Sequence, residues 1–216
     1  MLKMLVLYSQ ALLGSLLTMV VYMLVLVAGV RLTDIGLFET YIYATPILAL
    51  ALPSMFGGGT VTNLALGFGA SRRLCYWSLQ LASLLMIGIC LAVAWLTFHL
   101  SAGWMAHRAS VSWTWGGTAL LFCACEFALQ SSILTCTMEK GWRRSLTVFA
   151  GWGPSFLLVM AVEVCLLLDD EPLFDVLRPL NILNPIWMTV GGIFLAGALV
   201  LAIIARVRFN KLVVRQ

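Results

Sequence analysis

Six apolar stretches dominate the 216-residue chain. They run roughly over Leu5–Gly29, Thr40–Leu66, Cys75–Leu100, Trp113–Met138, Ser145–Leu168 and Ile186–Ala205. Each has the roughly 20 apolar residues that a helix needs to cross the hydrocarbon core of a bilayer. None alternates apolar with polar residues, so they predict helices and not barrel strands. The charged residues, 10% of the chain, are too few to coat a water-facing surface, for which about 25% is usual. A soluble globular domain is thereby excluded, and so is disorder, which needs low hydrophobicity and high net charge. The expected fold is all-α: one six-helix transmembrane domain over residues 1–216.

Loop charges give the expected orientation. Lys3, Arg72, Arg73, Lys140, Arg143, Arg144, Arg206, Arg208, Lys211 and Arg215 fall in one set of loops. Arg31, Arg108 and Arg178 fall in the other, with Asp34, Glu39, Asp169, Asp170, Glu171 and Asp175. The positive-inside rule then places both termini in the cytoplasm, and Trp104, Trp113 and Trp115 mark the outer interface. The first run is too long for a signal-peptide core and reads as a retained span. The sequence pI of 8.8 follows from the charge asymmetry. With no basic stripe outside the membrane-flanking loops, no nucleic-acid partner is expected. The absence of an N-x-S/T sequon favours a bacterial plasma membrane.

The residue inventory removes several chemistries. His99 and His107 are the only histidines, and both fall at the outer surface, which excludes an intramembrane histidine metal site. There is no G-x-S-x-G nucleophile elbow. The three lysines precede Met4, Gly141 and Leu212, so no phosphate-binding G-K-S/T loop exists. No catalytic, metal or cofactor site is expected in this chain. The cysteines Cys75, Cys90, Cys123, Cys125, Cys136 and Cys165 lie in or at the ends of apolar runs, without C-x-x-C spacing. The cluster Asp169-Asp170-Glu171…Asp175 could hold a hard cation, but it lacks regular ligand spacing and reads better as a solvated outer loop.

The segment Gly67-Phe68-Gly69-Ala70-Ser71-Arg72-Arg73-Leu74-Cys75-Tyr76-Trp77 joins the second and third runs. Its glycines break one helix, Ser71 can cap a new short one, and Arg72 and Arg73 face the cytoplasm. Such a capped helix suits a partner's groove. By composition, an ordinary positive-inside turn fits equally well.

G-x-S-R-R followed by aromatics, between the second and third of six spans, resembles the permease subunits of type-2 ABC transporters. The resemblance covers the layout of nearly the whole chain. The partly apolar loop Pro172–Pro185 is similar to the family's short outer helices that re-enter the bilayer between spans five and six. The sequence differs in having only Met1–Met4 ahead of its first run, where the family has an amphipathic helix. The resemblance implies a non-catalytic subunit that exports a lipid, drug or peptide-like substrate across the cell membrane. Gly69, Ser71, Arg72, Arg73 and Tyr76 would then form the loop that contacts an ATP-binding cassette subunit. ATP and magnesium would belong to that partner. A second permease copy or a related permease would complete the assembly among membrane lipids.

Glu126 and Gln130 fall within the fourth run. A mid-bilayer carboxylate must face protein or water, which makes Glu126 a functional candidate. Gln130 lies one turn further on the same face, and the pair could line a translocation path. A helix-to-helix hydrogen bond, for instance to Gln80 or Asn63, is the structural alternative. Glu163, near the outer end of the fifth run, reads better as a snorkelling group. The small-residue pairs Ala11 with Ser15 and Gly151 with Ser155 permit close helix approach. They fit a seam between two permease copies or packing within one chain. Two other functions compete. A vitamin-binding subunit of an energy-coupling-factor importer would carry A-x-x-x-A in its first span, where the nearest pair here is Ala11 and Ser15. An intramembrane lipid-modifying enzyme would have to use Glu126 or the Asp169 cluster without any intramembrane histidine.

Overall fold

The computed structural model describes residues 58–101, 115–138, 141–167 and 185–211, together with individual helical positions between Val6 and Leu32. The described elements are all helices: α1 over Gly58–Gly67, α2 over Arg72–Ser101, α3 over Trp115–Thr135, α4 over Trp142–Leu167 and α5 over Pro185–Lys211.

The expectation of six membrane-spanning helices is corrected. Among the described residues one helix, α5, is long and apolar enough to cross a membrane. α1 has only ten residues. The apolar part of α3, Ala119–Thr135, falls short of the roughly 20 residues required. α2 opens on Arg72 and Arg73 and carries Gln80. α4 opens close to Arg143 and Arg144 and contains Gly153-Pro154-Ser155. Over their described side chains, neither helix is long and apolar enough to count as a span. Both termini, the acidic cluster and the expected re-entrant segment between residues 172 and 184 lie outside the described residues.

α3 is the hub, packed most extensively on α5 and α4 and touching α2 and α1. Leu120, Leu121, Ala124, Cys125, Ala128, Leu129 and Ile133 are all buried, as expected of a helix with neighbours on several sides. Small residues bring its neighbours close. A Cβ on Gly151 of α4 would fall inside the Ser131 side chain, and one on Gly197 of α5 would come within 2.7 Å of Phe127. That space lets Phe127 meet Phe194 edge-on, at 5.3 Å between centroids. Ser155 Oγ lies 2.8 Å from the Ala124 carbonyl oxygen and 2.9 Å from that of Gly151. The Gly151–Ser155 pair is therefore engaged in packing α4 on α3 of the same chain. Ala11 and Ser15 lie outside the described residues.

The connection from α1 to α2 has a clear local cause. Gly69 adopts φ +84°, the left-handed conformation that glycine reaches without penalty. The Gly69 N–H bonds the Leu66 carbonyl and the Ala70 N–H bonds that of Ala65, both at 3.0 Å. This is the Schellman pattern that satisfies a helix's last carbonyls. Two residues later the Leu74 N–H donates to Ser71 Oγ at 3.2 Å, capping α2. After α3 the chain tightens into i→i+3 bonds through Met138 before α4 begins. Both turns and the C-terminal end of α5 share one end of the bundle, because Arg72 Nη1 donates to the Asn210 carbonyl at 2.8 Å and Trp152 Nε1 to Ser132 Oγ at 2.9 Å. A core of Tyr8, Leu66, Cys75, Tyr76, Leu79, Ile133, Leu134, Ala205 and Phe209 lies beneath this end. Tyr8 belongs to the N-terminal positions and is held by a 2.9 Å bond between its hydroxyl and Thr62 Oγ1.

Candidate functional site

α2 and α3 run antiparallel, and each contributes two polar residues one turn apart to a buried chain. On α3, Gln130 Nε2 donates to Glu126 Oε1 at 2.6 Å and to Gln80 Oε1 of α2 at 2.6 Å. Gln80 Nε2 donates back to Gln130 Oε1 at 2.8 Å and to the Tyr76 hydroxyl at 3.1 Å. That hydroxyl donates in turn to the Ala202 carbonyl of α5 at 3.0 Å. Each amide nitrogen has two protons, and both are used. The bonding pattern therefore fixes the orientation of both amides and the direction of every bond. One atom of the chain is left over: Glu126 Oε2 is buried without a hydrogen-bond partner among the described residues.

A polar chain satisfied at every other atom specifies the pairing of α2, α3 and α5, since an unpaired buried group would be costly. The free oxygen gives Glu126 a chemical capacity its neighbours lack: it can take up a proton or accept a bond from a donor entering the bundle. Asn63 is exposed and is not part of this chain. Gln80 is the member that spacing alone could not place, since it lies 50 residues from Gln130. The signal was its type, an isolated amide in an apolar run.

Tyr76 belongs to this interior chain and is buried, whereas Gly69, Ser71, Arg72 and Arg73 are exposed at the bundle's end. Ser71 caps the thirty-residue α2 rather than a separate short helix, so the exposed surface is a turn with the first residues of a long helix. α2 is fastened to α5 here three more times. Arg72 holds the Asn210 carbonyl, Arg206 lies over the Trp77 ring at 5.6 Å, and Tyr76 meets Phe209 edge-on at 5.5 Å. The Arg72 contact places a cation on carbonyls at a helix C-terminus, where the macrodipole favours it.

All the described Lys and Arg side chains gather at this end: Arg72, Arg73, Arg143, Arg144, Arg206, Arg208 and Lys211. Among the described residues no group of His, Cys, Asp or Glu is arranged to hold a metal ion. In comparisons with known proteins, no family model, no curated protein and no solved structure matches the chain.

Proposed function

We propose that this chain is a membrane-embedded, non-catalytic subunit of an ATP-driven transporter, resembling type-2 ABC permeases and working with a separate ATP-binding cassette subunit. The observation that carries the reading is the continuous linkage from the exposed turn to the bundle interior. The turn at Gly69–Arg73 leads into α2, α2 is fastened to α5, and the Tyr76–Gln80–Gln130 chain ends on the free oxygen of Glu126. A push on the turn would be felt at Glu126, about three helical turns inside.

Membrane embedding has separate support. α5 leaves Ile193, Leu199, Val200 and Ile203 exposed, and only 17% of its most apolar window is buried inside the protein. Such a surface suits hydrocarbon rather than water. The cations at one end suit the cytoplasmic side of a bacterial plasma membrane. The transported substrate would be a lipid, drug or peptide-like molecule.

The test is copurification of the tagged chain with an ATPase encoded beside it, followed by ATP hydrolysis in lipid. The wild-type chain is expected to bring the ATPase down. The Arg72→Glu/Arg73→Glu chain should insert normally yet lose most of it. Equal recovery with both chains would remove the turn as the docking surface.

A further inference from the structure

The first turn of α4 places its charges against its own dipole. A helix N-terminus carries partial positive charge that favours anions, yet the first turn of α4 has no acidic residue, and Arg143 and Arg144 stand there. In α2 the same conflict at Arg72 is answered by the Asn210 carbonyl. The Arg144 N–H bonds the Gly141 carbonyl at 3.1 Å, but its guanidinium has no hydrogen bond or ion pair among the described residues, and the Arg143 guanidinium lies over the face of Trp142, at 5.8 Å.

Beside these arginines lies an open groove of about 740 Å³ along α4, lined by Trp142, Arg144, Ser145, Leu146, Phe149 and Trp152. Its polar groups, Arg144 and Ser145, are at the helix start. The rest of its lining is apolar, with Trp142 at the helix start 71% and Phe149 further along 73% exposed. Trp152 forms the floor and is locked by its bond to Ser132. The groove thus offers one cation and a hydroxyl at one end, an aromatic and aliphatic lining, and a position at the basic end of the bundle.

We propose that this groove binds an anionic phospholipid, with the headgroup phosphate on Arg144 and Ser145 and an acyl chain along Leu146 and Phe149. Charge complementarity selects this occupant. A guanidinium matches phosphate oxygens in a fork geometry, the helix N-terminus adds to the attraction, and the apolar extension suits a chain rather than a free ion. The site rests on the membrane embedding argued above, and not on the transport role.

The test uses the full chain from carbonate-washed membranes, purified in detergent and titrated with phosphatidylglycerol, phosphatidylcholine or inorganic phosphate under native mass spectrometry. Loss of the chain in the carbonate wash would instead defeat membrane embedding, so the two failures are separable. Retained phosphatidylglycerol is expected, with phosphatidylcholine bound more weakly and inorganic phosphate not retained. Arg144→Gln should weaken phosphatidylglycerol about tenfold, the loss of one charge-assisted bond. Arg144→Lys should recover part of it. Phe149→Ser, at an exposed position, should shorten retention without unfolding the bundle. Arg208→Gln removes the same charge from the same end but away from the groove, and should leave binding unchanged. Equal weakening by Arg208→Gln and Arg144→Gln would reduce the site to bulk charge attraction and overturn the proposal. So would equal retention of the two lipids, or a second copy of the chain displacing lipid from the groove.

Discussion

Among the described residues Glu126 has one oxygen hydrogen-bonded and one without a partner, and its two substitutions separate structure from function. Glu126→Leu strips an acceptor from Gln130. An orphaned buried donor costs about 1–3 kcal/mol, while polar contacts between membrane helices average about 0.6 kcal/mol. A loss near 1 kcal/mol is expected, seen as a lowered Tm in detergent. Glu126→Gln keeps the acceptor and removes the ability to ionise. Its Tm should stay near wild type, and if the chain works with an ATP-binding subunit as proposed, ATP hydrolysis by the reconstituted complex should change. If its hydrolysis and pH profile match wild type, Glu126 is only a packing group. Gly151 gives a purely structural counterpart. A Cβ there would overlap Ser131, and overpacking costs about 1–3 kcal/mol, so Gly151→Ala should lower Tm clearly. Adding Ser131→Gly should restore much of the loss despite about 1 kcal/mol of helix propensity; absence of coupling in that double-mutant cycle would contradict the close approach. At this scale the sequence was partly readable. The i,i+4 placement of Glu126 and Gln130 follows from helix geometry. Which side of α4 meets α3 does not, because Gly151 and Ser155 offer the same small surface to any neighbour.

Among the elements, the α1–α2 turn was the most legible, because its chemistry is local. Glycine at a left-handed position and serine at a cap each act within four residues. Gly69→Ala puts a Cβ into open space but at φ +84°, where an L-residue pays roughly 1–2 kcal/mol. Ser71→Ala removes the bond to Leu74, worth about 1 kcal/mol. Each is expected to lower Tm modestly, and Gly69→Asn less than Gly69→Ala, since asparagine tolerates that region. Equal Tm values for all three variants would mean the turn contributes nothing to stability. The length of α2 was less legible. Two arginines followed by aromatics mark a helix start but not its end, so a short capped helix and a thirty-residue one share the same opening. Tyr76 was misplaced by the same limit. Four residues past Arg72 it has turned inward, and its partner Ala202 is 126 residues away.

At the scale of the whole molecule, apolar composition foretold helices but not how many are spans by themselves. Much of the described apolar surface of α3 is spent on neighbouring helices, and the starts of α2 and α4 are charged. α5 differs, exposing apolar side chains along its length between an end near Pro185 and the basic end. If this exposure reflects lipid, the two ends of α5 lie on opposite sides of a membrane. Ile186→Cys and Arg73→Cys, each in a background without the six native cysteines, report on those ends. Cys75, Cys125 and Cys136 are buried, so their replacement by alanine carries a packing cost. In intact cells a membrane-impermeant maleimide is expected to label Ile186→Cys and to spare Arg73→Cys, which should react only after permeabilisation. The direction follows from the cations of α2, α4 and α5, which the positive-inside rule retains in the cytoplasm. Labelling of both positions before permeabilisation would place the two ends on one side, and α5 would then cover a protein surface rather than cross a bilayer.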